Sequence, residues 1–170
     1  HDIQNRFCSS LRKNFGRTKN DVSEFEEISI LNNADAVTAV SKDDTLYFKQ
    51  RLSTNVFYLP PLCVSSDYSQ LKKTKSENGL RIGFVAGYSD FNLSAATWFI
   101  QNVFNSLCKE FSVTFHVFGS VSKGLEEYAK QNASIVLHGF VKEAKDIYRN
   151  IDVSVNPTTQ EGGIKVKNLE

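Results

Sequence analysis

Gly162, Gly163, Lys165, Lys167 and Glu170 have the types and spacing to hold a phosphorylated ligand. A glycine pair lets a backbone approach closely and leaves amides pointing outward. The first turn of a following helix has unpaired N–H groups and partial positive charge, which favour phosphate. Lys165 and Lys167 add full charges there. Lys167 and Glu170, at i and i+3, project from one helix face. A cation beside helix amides with an acceptor-only carboxylate one turn on would suit a nucleotide diphosphate, lysine toward the phosphates and glutamate toward the ribose hydroxyls. The simpler reading is a solvated Lys–Glu pair worth about 0.2–0.5 kcal/mol, after a glycine pair that only shapes a turn.

Other chemistry is sparse. His116 alternates within a strand pattern and reads as a packed or surface residue, whereas His138 precedes Gly139 at a strand end and is better placed to touch a ligand. There is no Ser-His-Asp order, no His-Glu-x-x-His and no close carboxylate pair, so no catalytic residue is assigned. Neither Gly-x-Gly-x-x-Gly nor a P-loop pattern occurs, which argues against dehydrogenases and P-loop ATPases. Cys8, Cys63 and Cys108 are odd in number and widely spaced, without a metal-ligand pattern, and they fit a reducing, cytoplasmic compartment. Neither a metal nor a cofactor is expected.

The elements that must position these residues follow from periodicity. From residue 80 onward, "LRIGFVAG", "SVTFHVFG", "SIVLHG" and "DVSVNP" read as strands. They alternate with helices over "NLSAATWFIQNVFNSLCKEF", "LEEYAKQN" and "KEAKDIYRN". The first of these helices carries Ala95, Trp98, Phe99, Val103, Phe104 and Leu107 on its apolar side. Such alternation specifies an α/β fold, a Rossmann-like parallel sheet with flanking helices, because parallel neighbours need a crossover. Ligands in open sheets of this kind sit outside the carboxyl ends of the strands. Gly87-Tyr88-Ser89, Gly119-Ser120, Gly139-Phe140 and the stretch from Pro157 to Gly163 collect at those ends.

Upstream, residues 2–15 and 22–31 carry helical stripes, with Asp21 as the expected N-cap of the second. "ADAVTAV" and "NVFYLPP" read as strands around a helix capped by Ser41, with Asp44 three residues on and Leu46, Tyr47 and Phe48 as its buried side. Pro60 and Pro61 end the second strand. Residues 64–79 are rich in serine and lysine with little to bury, so they read as a linker between a partial α/β segment, 1–63, and a domain over 80–170.

Composition bounds the partners. The chain has 170 residues, 41% of them hydrophobic and 23% charged, an ordinary globular balance. A formal charge of +1 argues against bulk electrostatic attraction to nucleic acid. No apolar run approaches the roughly 18 residues of a membrane span. Without a methionine, and opening on His1-Asp2, the sequence is expected to be an excerpt cut at both ends.

These segments together resemble the donor-binding domain of a GT-B-fold glycosyltransferase of the group 1, family 4 type. "IGFVAGYSDFNLSAATWFIQNVF" resembles the family's opening strand, glycine loop and Trp-Phe helix; "VTFHVFGS" resembles its second strand and glycine. "IVLHGFVKEAKDIYRNIDVSVNP" resembles its Gly-x-Val to Asp-Val run, and "GGIKVKNLE" its glycine-lysine-x-lysine-x-x-glutamate signature. "HDIQNRF" and "NNADAVTAVSKDD…NVFYLPP" resemble the tail of the acceptor domain and the crossing into the second domain.

The resemblance implies a retaining transferase that moves a sugar from a nucleotide-diphosphate sugar, without an obligatory metal, to a glycan, lipid or small-molecule acceptor. Peripheral membrane association stays open. It places Lys167 on the diphosphate, Glu170 on the ribose, Gly162 and Gly163 beside them, Gly87 and Tyr88 at the phosphate-side loop, Phe140 and Val141 beside the nucleobase, and His1 near the donor sugar. Many relatives have a first glutamate where this chain has Gly162, so Glu161, one residue earlier, has no assigned role. With most of the acceptor sheet missing, the fragment is expected not to turn over, since the cleft needs both walls. Two rivals remain: a GT-B-fold nucleotide-sugar epimerase, and a non-catalytic doubly wound nucleotide-binding module.

Overall fold

The computed structural model describes residues 22–61, Thr74 and residues 79–158. The described residues fall into two compact units, divided after residue 64.

The first unit holds α1 (Glu24–Leu31), β1 (Ala36–Ala39), α2 (Lys42–Lys49) and β2 (Asn55–Tyr58). The N-cap of α1 is Ser23 rather than Asp21. Its Oγ accepts the Glu26 amide at 3.2 Å, and its own amide donates to the Glu26 carboxylate at 2.9 Å. That reciprocal capping box satisfies two otherwise orphaned donors. In α2, the Ser41 hydroxyl accepts the Asp44 amide at 3.0 Å, as its spacing implies. β1 and β2 are parallel, Val37 opposite Val56, with α2 as the crossover. Phe48 is fully buried against Val37, Ala39 and Val56, Tyr47 is half-buried, and Leu46 points to solvent rather than into the core.

The second unit is a four-stranded parallel sheet of β3 (Leu80–Val85), β4 (Val113–Phe118), β5 (Ile135–Gly139) and β6 (Val153–Ser154). Its spatial order is β5-β4-β3-β6. The chain thus builds outward from β3 through β4 to β5, then crosses back to add β6 on the other side. The α/β, Rossmann-like reading of the sequence holds.

Alternation along the strands sets the two faces. Ile82 and Phe84 of β3, Val113, Phe115 and Val117 of β4, and Ile135 of β5 form one core with Ala96, Phe99, Ile100 and Phe104. Those last four lie on α3 (Asp90–Phe99) and on the π-helical segment Ile100–Phe104, which leads into α4 (Asn105–Glu110). The π turn corrects one expectation. In a regular α-helix, residues five apart diverge in direction, whereas a wider i→i+5 turn brings them nearly into line. Phe99 and Phe104 therefore stack, ring centroids 6.5 Å apart, and both lie against Phe115 at 5.0 and 5.5 Å. Ile100 is recruited to the core and Trp98, 49% exposed, is left outside it. Each fully buried Phe contributes about 1.5–3 kcal/mol, whereas exposed pairs such as Lys130–Glu127 add about 0–1 kcal/mol. The aromatic cluster, not surface charge, holds this layer.

Helix α5 (Glu126–Gln131) precedes β5 in the chain, and the opposite face carries α6 (Ala144–Arg149), whose Ile147 packs with Ile151 and Phe118. Gly83 makes room for that packing: a Cβ there would lie 2.5 Å from Ile151 Cδ1. β6 contributes only two ladder positions, Ile82 opposite Val153 and Gly83 opposite Ser154. Arg81 and Asp152 reinforce it. Arg81 Nε and Nη2 donate to the two carboxylate oxygens at 3.1 and 2.9 Å, the Arg81 amide donates to Oδ2 at 2.9 Å, and the Asp152 amide donates to the Arg81 carbonyl at 2.8 Å.

Candidate functional site

The strand order locates the topological switch point. Because β4 and β6 leave β3 on opposite sides, the loops at the carboxyl ends of β3 and β6 diverge, and a doubly wound sheet binds ligands at such a switch point. The β3 loop is Ala86-Gly87-Tyr88-Ser89, and the β6 exit runs through Val155, Asn156, Pro157 and Thr158.

Hydrogen bonds to Phe118, Ser120 and Asn92 define the β3 loop. The Ala86 amide donates to the Phe118 carbonyl at 3.0 Å, extending the ladder past the strand end. The Tyr88 amide donates to Ser120 Oγ at 2.7 Å. The Gly87 carbonyl accepts from Asn92 Nδ2 at 3.0 Å, and Ser89 caps α3 by accepting the Asn92 amide at 3.2 Å. Open space surrounds the position of a Cβ on Gly87. The Tyr88 side chain is 57% exposed. Backbone and capping bonds hold the loop, with the Tyr88 side chain on its exposed surface.

At the other end of the rim, β5 finishes at Gly139 with φ +67°, a left-handed conformation that suits glycine. Phe140 follows, 85% exposed, while the half-buried Val141 turns inward against the cluster of Phe118, Ile147 and Ile151. The expected pair is thereby split, one aromatic presented to solvent and one aliphatic side chain anchoring its loop. Between the two loops lies Gly119, φ +93°, where a Cβ would come within 2.1 Å of the Ala86 carbonyl oxygen. Only glycine fits that close approach.

His116 and His138 meet on the α6 face of the sheet. His116 Nδ1 lies 2.9 Å from His138 Nε2, and His116 Nε2 lies 2.9 Å from Thr114 Oγ1. The rings are nearly parallel, and His138 stacks on Phe118 with centroids 4.3 Å apart. Burial pushes both imidazoles below the ordinary histidine value. For His116 the neighbouring His138 and Arg81 act in the same direction, and Asp152 opposes them. A neutral pair can share one N–H between the facing nitrogens, whereas two imidazolium rings would set N–H against N–H. The pair is a packed cluster rather than an evident acid–base system. No group of three or more metal-ligating side chains occurs among the described residues.

Of the residues named from sequence, Gly87, Tyr88, Phe140 and Val141 stand on the strand-end rim. Gly162, Gly163, Lys165, Lys167, Glu170, Glu161 and His1 lie outside the described residues. Sequence reading missed Ser122, Asn92 and the Arg81–Asp152 pair. The only hint of Ser122 was its place in the short stretch between Gly119 and Gly124, and no local signal links Arg81 with a partner 71 positions away.

Comparison with known proteins agrees with this architecture. The family model for glycosyl transferases group 1 matches residues 79–170. No curated protein sequence matches the chain. Among solved structures, the crystal structure of TarM aligns with a TM-score of 0.61 at 15% identity, over 91% of this chain and 31% of that one. A TarM mutant from S. aureus, in complex with Fondaparinux, alpha-GlcNAc-glycerol and UDP, aligns with a TM-score of 0.56 at 14% identity, over 88% of this chain and 30% of that one. The chain thus spans about a third of the length of these neighbours, and at such identities they share its fold. Since the family model covers more than half of the sequence and the α/β, GT-B-type architecture accords with it, the chain belongs to the group 1 glycosyl transferases.

Proposed function

We propose that this chain carries the donor side of an enzyme that transfers a sugar, with retention, from a nucleotide-diphosphate sugar to a glycan, lipid or small-molecule acceptor. The carrying observation is the topological switch point between β3 and β6, within the stretch that the family model matches. The UDP in the similarly folded TarM complex supports a nucleotide diphosphate as the donor's handle.

In this reading Lys167 holds the diphosphate and Glu170 the ribose hydroxyls, a point charge and a two-oxygen acceptor suited to those groups. Gly162 and Gly163 admit the phosphates. Gly87 and Tyr88 close the phosphate side, Phe140 and Val141 frame the nucleobase side, and His1 approaches the donor sugar. The chemistry needs no metal or cofactor when protein cations and amides carry the developing phosphate charge. The enzyme works in the cytoplasm, and by itself this chain holds donor without turning it over, since acceptor positioning needs a second wall.

Calorimetric titration with UDP, ADP and GDP tests the assignment. Losing a hydrogen bond to a charged group costs about 1.5–3 kcal/mol, so Lys167→Ala and Glu170→Ala should each weaken binding of the preferred nucleotide roughly 10- to 100-fold. Unchanged affinity in both variants, or no binding to the unaltered chain, refutes it.

A further inference from the structure

One short turn touches both rim loops. The 3₁₀ segment Ser120–Gly124 follows β4, the strand between β3 and β5. On one side, Ser120 Oγ accepts the Tyr88 amide at 2.7 Å, and the Val121 amide reaches the Ala86 carbonyl at 3.4 Å. On the other, the two backbone groups of Gly139 end on this turn and on Gly119, the residue just before it. The Gly139 carbonyl accepts the Gly119 amide, and the Gly139 amide donates to Ser122 Oγ at 3.3 Å. Ser122 is buried, and its hydroxyl proton is directed to the Val117 carbonyl at 3.1 Å, which leaves the oxygen's lone pairs for Gly139. Gly119 and Gly139 both adopt positive φ, so β4 leads into the turn, and β5 into its own loop, through a conformation that suits glycine.

Resting on the donor-binding reading above, we propose that Ser120 and Ser122 are positioning residues for the nucleotide site, acting through Tyr88 and through Gly139-Phe140. The Ser122 hydroxyl is committed on both its donor and acceptor sides, and the Ser120 oxygen is engaged by the Tyr88 amide. Ser120 sets where the Tyr88 backbone stands, and Ser122 sets the exit from which Phe140 projects. Since both hydroxyls belong to one turn, the β3 and β5 loops are referenced to a common point rather than to each other.

The test uses the complete 170-residue chain with UDP, ADP and GDP as probes, affinity read by calorimetry and folding by thermal melting. Ser120 is exposed, so Ser120→Ala leaves the melting temperature unchanged. It should weaken binding of the preferred nucleotide about threefold to tenfold, the range of one neutral hydrogen bond. Ser120→Thr restores the acceptor and should restore affinity, which a merely structural defect would not do. Ser122→Ala should weaken the same nucleotide; should it fail to fold, Ser120 alone decides. Native affinity in Ser120→Ala, or a loss that tracks its melting temperature and is not rescued by threonine, overturns the proposal while donor binding stands. Absence of nucleotide binding by the unaltered chain overturns both.

Discussion

Asp152→Ala should destabilise the second unit and loosen the β6 side of the switch point. The variant removes the acceptor of three bonds at once, two from the Arg81 guanidinium and one from the Arg81 amide. Breaking a buried ion pair costs about 3–5 kcal/mol, chiefly because the surviving charge is stranded. Here Arg81 is 11% exposed and Asp152 27%. Thr74 also offers the guanidinium two bonds at 2.7 Å. Partial solvation and those remaining partners place the expected loss at about 2–3 kcal/mol. For a chain of this size that corresponds to roughly 4–12 °C in Tm.

Function is coupled to this loss because β6 holds to β3 through only two ladder positions. Urea denaturation followed by far-UV circular dichroism measures the stability, and UDP titration the site. The double variant Arg81→Met/Asp152→Leu, which leaves no stranded charge, should recover much of the stability. A loss below about 0.5 kcal/mol in Asp152→Ala, within the range of ordinary surface substitutions, would refute the view that this pair secures β6.

Two further outcomes follow from the same geometry. Gly119→Ala should cost at least about 2 kcal/mol in a urea titration, since it combines left-handed strain with a Cβ driven onto the Ala86 carbonyl; a near-native midpoint would show that the rim tolerates a side chain there. The second concerns pH. Because His116 and His138 titrate lower when folded than when unfolded, the unfolded chain takes up protons first as acid is added. Their contribution to stability should be complete above the ordinary histidine value of about 6.5 and decline as pH falls from there through the lowered folded values. A His116→Gln/His138→Gln variant should flatten the stability profile in that window; an unaltered slope would remove the pair from the account.

Some of the protein is written locally. The switch from helical to alternating periodicity marked each strand and helix after residue 80, and glycines at the strand ends marked the rim. Ser41 announced its helix by its own side chain. Ser23 shows the margin of that method: the capping residue lay two positions from the one expected, because the decisive partner was Glu26. The glycine, lysine and glutamate signature near the end of the chain is carried by sequence and family resemblance alone, since those residues lie outside the described structure.

The sheet order β5-β4-β3-β6 was beyond local reading, because periodicity tells which face a strand buries and not which strand lies beside it. Pairings of distant residues, Arg81 with Asp152 and His116 with His138, exist only once that order is set. Trp98 points outward and Ile100 inward because packing Phe99 and Phe104 against Phe115 favoured a π turn that a 3.6-residue repeat does not foresee. The sequence alone determined the elements and the chemistry they carry; tertiary structure decided their neighbours and thereby where the switch point falls, because hydrogen bonding along the chain is local while the partners of a parallel sheet are not.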